Sequence, residues 1–515
     1  MNMRPTSPNT ALFRAVDPRQ ASYALRAVAL LMLGASFFAE DPLAYLYVAI
    51  PVLMAPLLWL KAGAFGIPVL PVISMLFYLY YAAPLLQGST LSIFRPEDIR
   101  WAAISVGLFV SSASIAAWPF LSATRNATGT PAKGRLSRYA RSFGTKSFSK
   151  YLSSMREMER LIFIGLGSGN LFYLATMSGA IGFLGTYIGV VRAVVITLTS
   201  VACYLMGYAR GAGTLTGQRW IVALAAFIAV TGLAMSNLLL VGGAINIGAV
   251  LLGYVLSAKR IPWLVIAASF IAMSVLNAGK FSMRSAYWGT DSQVQQLNSA
   301  TQIPGMMANW VAAGVQAVGS PSDGGSKLLE RTSLLHMVLV VQQATPRYIP
   351  YLDGQTYAML PYMLVPRFLQ ADKPESQAAL NLLSVRYGRE RAEDVGKTTI
   401  GWGLVSEAYA NFGNLGVIIA GAIFGVLCGI LMRLSATASP LSLAMLVTIA
   451  STLTICNMES DFSYLIVTLS QTIGAILLFV MLPRFTRRPV PVMPFAAKAQ
   501  ADGPRSAGAR GNTQP

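Results

Sequence analysis

The sequence predicts an all-α polytopic membrane protein of about twelve transmembrane helices. Three observations point there. Hydrophobic residues make up 55% of the chain and charged residues 11%, where a soluble domain carries about 25% charged residues. Apolar runs of about 20 residues recur, the length that crosses about 30 Å of hydrocarbon. Basic clusters fall between those runs, as cytoplasmic loops require. A β-barrel would show short alternating segments, and none stands out.

The same numbers exclude other classes. The net charge of +19 belongs to inner loops rather than to a nucleic-acid surface, because no aromatic platform accompanies it. Cys203, Cys428 and Cys456 all sit in apolar segments with no CxxC, so neither a disulfide framework nor a thiolate metal site is expected. With His336 the only histidine, a zinc site lacks its usual ligands. No Asp-rich loop argues for calcium or magnesium. No metal and no other cofactor is expected.

Residues 1–22 read as a cytoplasmic tail, followed by a membrane domain over 23–482. The first helix, 23–39, is followed by Glu40-Asp41-Pro42 instead of a small-residue cleavage site, so it begins an uncleaved hairpin with a second helix at 43–60. Helices three and four cover 67–86 and 101–121. Residues 122–160 hold nine basic side chains and form a cytoplasmic loop, each base worth about 1 kcal/mol against anionic lipid. Helices five and six cover 161–177 and 190–209. The run 220–256 is too long for one span, and Ser236-Asn237 divides it into helices seven and eight. Helix nine is 263–279, and the last three are 415–434, 441–457 and 464–482. The tail 483–515, basic and rich in Pro, Ala and Gly, reads as disordered and cytoplasmic. Twelve crossings return both termini to one side.

Residues 280–402 form the one long polar region, with eleven basic and nine acidic residues. This balance and the helix parity both put it outside. Two apolar pieces within it, 334–341 and 359–369, are too short to span and read as re-entrant or interfacial helices. Pro361 and Pro366 break the second.

The chemistry concentrates between Arg331 and Gly416. Arg331, Arg367 and Lys373 offer cations beside apolar segments. A guanidinium fork suits phosphate, and in a dry site its bonds strengthen as charge grows on a leaving group. A lipid-diphosphate headgroup lies at this depth. The competing reading pairs these cations with nearby acids or lipid headgroups. Glu407 and Asn411, four residues apart, share a helical face. Trp402, taken as an interface residue, puts Glu407 about one turn into the membrane. An ionisable side chain at such depth is a functional candidate, here a base for an attacking sugar hydroxyl or simply a partner of Arg367 or Lys373. His336 titrates near neutrality and is a second candidate base or a packing residue. Arg284, beside Lys280, meets phosphate or anchors a helix end. Arg192 is a further candidate for the same cavity.

The run Arg331…Thr345-Pro346…Ile349-Pro350-Tyr351…Gly354…Pro366-Arg367…Asp372-Lys373-Pro374, then Glu407-x-Tyr409-x-Asn411-Phe412-Gly413-x-x-Gly416, resembles the Wzy-type polymerases of bacterial O-antigen and exopolysaccharide. The resemblance covers roughly residues 280–430. It implies a GT-C-like, metal-independent glycosyltransferase of the inner membrane, working at the periplasmic face. Such an enzyme moves a growing glycan from undecaprenyl diphosphate to a hydroxyl of the next lipid-linked repeat unit. By this likeness Arg284, Arg331, Arg367 and Lys373 hold diphosphate and Glu407 or His336 activates the acceptor. Asp372, Tyr409 and Asn411 support them. The implied partners are undecaprenyl-diphosphate-linked glycans, membrane lipid and, as a further candidate, a chain-length-regulating co-polymerase, with no nucleic acid. The nearest alternative is a lipid-linked glycan ligase. A flippase is the alternative from another class, but it calls for charges deep within many helices, and mid-helix charges are rare here. A structural scaffold would not require the arginines.

Overall fold

The helices begin where local capping chemistry allows. In the computed structural model, which describes residues 12–86, 91, 93–126, 155–287, 300–319, 333–365, 369–370, 373–395 and 400–486, no strand occurs among the described residues. Helix α1 (Pro18–Ala35) starts at Pro18 rather than at residue 23. The Asp17 carboxylate accepts the Arg19 N–H at 3.0 Å, and a proline at the first position needs no donor. Asp41 and Pro42 repeat the device for α2 (Pro42–Lys61), with Leu43 and Ala44 N–H groups donating at 3.1 Å. Helix α3 (Val69–Phe77) continues through a π turn (Tyr78–Ala82) and a 3-10 turn (Ala83–Leu86). Then follow α4 (Pro96–Asn126), α5 (Met155–Met177), α6 (Ile188–Gly211), α7 (Gly217–Met235), α8 (Leu240–Ala258) and α9 (Trp263–Tyr287).

The region expected as one long loop contains more structure than two short pieces. Helix α10 (Ile303–Gly319) pairs with α9, and Met306 and Trp310 bury against Met283, Leu238 and Met235. Helices α11 (Leu334–Ala344), α12 (Gln355–Ala358), α13 (Leu360–Leu364) and α14 (Ala378–Arg386) follow. Helix α15 (Gly403–Ala436) starts twelve residues before the expected 415, and α16 (Leu443–Ile455) and α17 (Phe462–Thr486) complete the chain. The expected basic loop lies largely outside the described residues (127–154), as does most of the C-terminal tail (487–515).

Nine helices among the described residues are long and apolar enough to cross a membrane: α1, α2, α3 with its continuation, α4, α6, α7, α8, α9 and α15. The other three expected spans are helical but fall short of that description. Helix α16 has 13 residues, roughly 20 Å at 1.5 Å per residue. The side chains of α17 are described as far as Leu478, and its apolar sequence continues through Leu482. The apolar run of α5, a continuous helix, is interrupted by Gly165, Gly167, Ser168, Gly169 and Asn170. Asn170 uses its amide to bond the Leu166 and Ala226 carbonyls at 2.9 and 3.0 Å, tying α5 to α7.

The centre of the bundle is α15 against α4. A methyl group at Gly421 or Gly425 would strike the α4 backbone at Phe109 and Ala113. Small residues therefore set this crossing, as is usual between helices in lipid. At one end of the pair the 333–402 region folds over it around its own apolar cluster of Val341, Leu352, Leu380, Leu383, Tyr387, Trp402 and Ala410. Trp402 is thus not an interfacial anchor. It is buried, its indole Nε1 donating to Ser384 Oγ at 2.9 Å and its ring lying 5.4 Å from that of Tyr387.

Candidate functional site

A break in α15 organises this end of the molecule. Phe412 (φ −143°) and Gly413 (φ +60°, ψ −150°) leave the helical conformation between two helical halves. Glycine adopts a positive φ at little cost, so the Asn411-Phe412-Gly413 sequence places the break. The carbonyl freed at Ala410 is taken by the Leu352 N–H at 3.0 Å. Backbone leaving a helix at such depth needs a protein partner of this kind. Segment 351–357 lies against the break: Tyr351 packs over Gly413, and the Tyr357 ring stacks on Phe412 with centroids 6.3 Å apart.

Asn411 holds the two pieces together. Its Oδ1 accepts the Gly354 N–H at 3.0 Å, while Nδ2 donates to Thr356 Oγ1 and to the Glu407 carbonyl, each at 2.8 Å. The expected shared face of Glu407 and Asn411 is present. Tyr409, on the neighbouring face, packs between the main core and the 333–402 cluster.

Glu407 is 0% exposed. Its Oε2 accepts the Phe462 N–H at 2.6 Å, and Oε1 is buried with no hydrogen-bond partner. The neighbour that matters is Asp461, also 0% exposed, whose Oδ1 accepts the Tyr464 N–H at 2.5 Å in the manner of an N-cap. Asp461 Oδ2 is likewise without a partner. Burial, then the carboxyls of Glu407 and Asp461, push the Tyr357 phenol upward from its ordinary value. All three groups therefore lie within electrostatic reach of one another. Ser463 Oγ donates to the Thr356 carbonyl at 3.0 Å and closes the group. Asp461 was legible in sequence only as an acid in a short loop before the last helix.

The other expected site residues distribute differently. Lys373 donates to the Met363 and Val365 carbonyls at 2.9 and 2.7 Å, completing the C-terminal end of α13. Arg284 is half-buried at the end of α9 and donates to the Leu238 carbonyl at 3.4 Å, at the α7–α8 turn. Arg192 lies within reach of Tyr173 on α5. Arg331, Arg367 and Asp372 lie outside the described residues. His336 sits edge-on to Phe94, centroids 5.4 Å apart, and its Nε2 takes a hydrogen bond from Arg389 Nη2. Burial, and then the Arg389 charge, lower its pKa from the ordinary 6.5, so its ring is a neutral acceptor in packed surroundings. These contacts group Glu407, Asn411, Thr356, Tyr357 and Asp461 together, with His336, Lys373 and Arg284 bonded elsewhere.

Chemically, the group offers two carboxyls, a phenol and hydroxyls at the end of a spanning helix, enclosed by a folded loop. It can hold or move a proton. Phosphate recognition would have to come from arginines of the loop. No family model, curated protein or solved structure matches this chain. The family resemblance therefore rests on the quoted motifs alone.

Proposed function

We propose that the chain polymerises lipid-linked oligosaccharide repeat units, transferring a glycan from undecaprenyl diphosphate to the hydroxyl of an incoming unit. The observation that carries the reading is Glu407, buried one turn before the break in α15 beside Thr356 and Tyr357, in a chain whose Pro366-Arg367 and Asp372-Lys373-Pro374 motif follows that segment in sequence. In the reaction the acceptor oxygen forms a bond to the anomeric carbon. The bond from that carbon to phosphate breaks, and its electron pair leaves on the diphosphate. Arg331 and Arg367 stabilise that leaving charge, while the acceptor proton passes to the Glu407 carboxyl. Because Glu407 is 0% exposed, the acceptor reaches it only after segment 351–357 or the turn before α17 shifts. Lys373 acts by shaping the end of α13, and Asn411 by holding the broken helix to the loop. The working face is extracytoplasmic, on a bacterial inner membrane, with both termini cytoplasmic.

A strain lacking the chain tests the reading through its surface glycans. Single repeat units still joined to the surface acceptor are expected. Acceptor with no glycan attached would indicate a ligase, and lipid-linked units accumulating on the cytoplasmic leaflet would indicate a flippase.

A further inference from the structure

A carboxyl of α15 and one just before α17 lie within electrostatic reach in an enclosed place, with no counter-charge against them among the described residues. Glu407 and Asp461 are each 0% exposed. Glu407 spends one oxygen on the Phe462 N–H and Asp461 one on the Tyr464 N–H, with the Leu380 and Ser463 N–H groups also directed at the Asp461 carboxyl. The second oxygen of each, Oε1 and Oδ2, is buried and unpartnered. Neither carboxyl touches a lysine, arginine or histidine among the described residues. The groups facing them are the Tyr357 phenol of α12, which feels both carboxyls, and the neutral side chains of Thr356, Asn411 and Ser463.

Two like charges cannot both persist in such surroundings, since each buried ion costs several kcal/mol and the pair adds its own repulsion. Paired carboxyls of this kind resolve the conflict by keeping a proton. A metal ion such as sodium would need several oxygen ligands, whereas a proton needs only the two bare oxygens that are present. We propose that Glu407 and Asp461 form a proton-binding site that holds one proton between them at neutral pH, linking the first half of α15 to the start of α17.

The backbone decides where the remaining charge lies. N–H groups of Tyr464, Leu380 and Ser463 all favour ionised Asp461, although burial still lifts its carboxyl to about 6. Glu407 has one N–H, that of Phe462, and the Thr356 hydroxyl beside it. The proton therefore resides mainly on Glu407 and the charge on Asp461. In the transfer proposed above, Glu407 takes the acceptor's proton as it passes its own to the ionised Asp461, so that proton is the second one on the pair. The site itself does not depend on that reaction.

Infrared difference spectroscopy of the full chain in lipid, across a pH titration, tests the proposal. A protonated-carboxyl C=O band is expected at pH 7, shifting on deuterium exchange, absent in Glu407→Gln and retained in Asp461→Asn. Glu407→Asp, which keeps a carboxyl and moves the band, assigns it if the glutamine variant does not fold. Absence of any such band at pH 7 overturns the proposal, as does a band that survives Glu407→Gln. Thermal stabilisation by sodium over choline at equal ionic strength, with no carboxyl band, would overturn it in favour of a metal cation. The glycan profile reads the reaction separately, so either result can fail alone.

Discussion

Asn411 makes three hydrogen bonds with one amide, two to the segment that lies against the break in α15 and one back to the Glu407 carbonyl. Asn411→Ala removes all three and strands the Gly354 N–H. At about 1 kcal/mol net per bond, more where a donor is left buried, the loss should reach about 2–4 kcal/mol. A lowered thermal midpoint in detergent, with membrane insertion retained, is the expected result. His336 makes a second prediction. Its pKa is lowered in the fold, so the unfolded chain binds its proton first as pH falls. Stability from this contact is full above the ordinary 6.5 and declines as pH drops through the range below it. The melting midpoint of the native chain should fall there, while His336→Gln, which cannot charge, should lose that component of the slope. At this scale the sequence showed part of the site. The four-residue spacing of Glu407 and Asn411 was visible, because helical geometry turns spacing into a shared face. The partnership of Glu407 with Asp461 was not, because 53 residues of chain lie between them and only tertiary packing brings α17 to α15.

Helix α15 carries the design at the next scale. Its half after the break lies on α4 through Gly421 and Gly425, and its half before the break carries Glu407 into the enclosed group. Gly413→Ala puts a side chain at φ +60° against the Tyr351 hydroxyl. A cost of about 1 kcal/mol from conformation, and more from the contact, is expected. Limited proteolysis near residues 351–357 should become faster while the α4–α15 packing persists; unchanged protection would show that Gly413 does not hold that segment. Hydropathy placed the helices by their apolar runs but began this span at 415, since polar Ser406, Glu407 and Asn411 lower the hydropathy before it, although the helical spacing of Glu407 and Asn411 was legible. Helix α10 was missed because its short apolar stretch, interrupted by Pro304, Gly305, Asn309, Gly314 and Gln316, lies within a region read as one polar loop. Trp402 was misplaced because an aromatic residue beside an apolar run looks the same whether it meets lipid or a folded loop.

On the scale of the whole molecule, composition was enough to announce a helical membrane protein, since too little charge exists to cover a soluble surface. The number of crossings was harder to read. Length and hydropathy identify nine candidate spans among the described helices, while α5 carries a polar stretch that Asn170 ties to α7 and α16 is short. The functional account depends on the loop and the broken helix acting together. Purified chain in liposomes, supplied with undecaprenyl-diphosphate-linked repeat units, tests this most directly through release of undecaprenyl diphosphate and growth of a glycan ladder. The native chain should give both, and Arg367→Ala, with an unchanged melting midpoint, should lose at least about a hundredfold of each. A native chain that releases no lipid diphosphate, or a folded Arg367→Ala variant that elongates glycan at the native rate, would contradict the account.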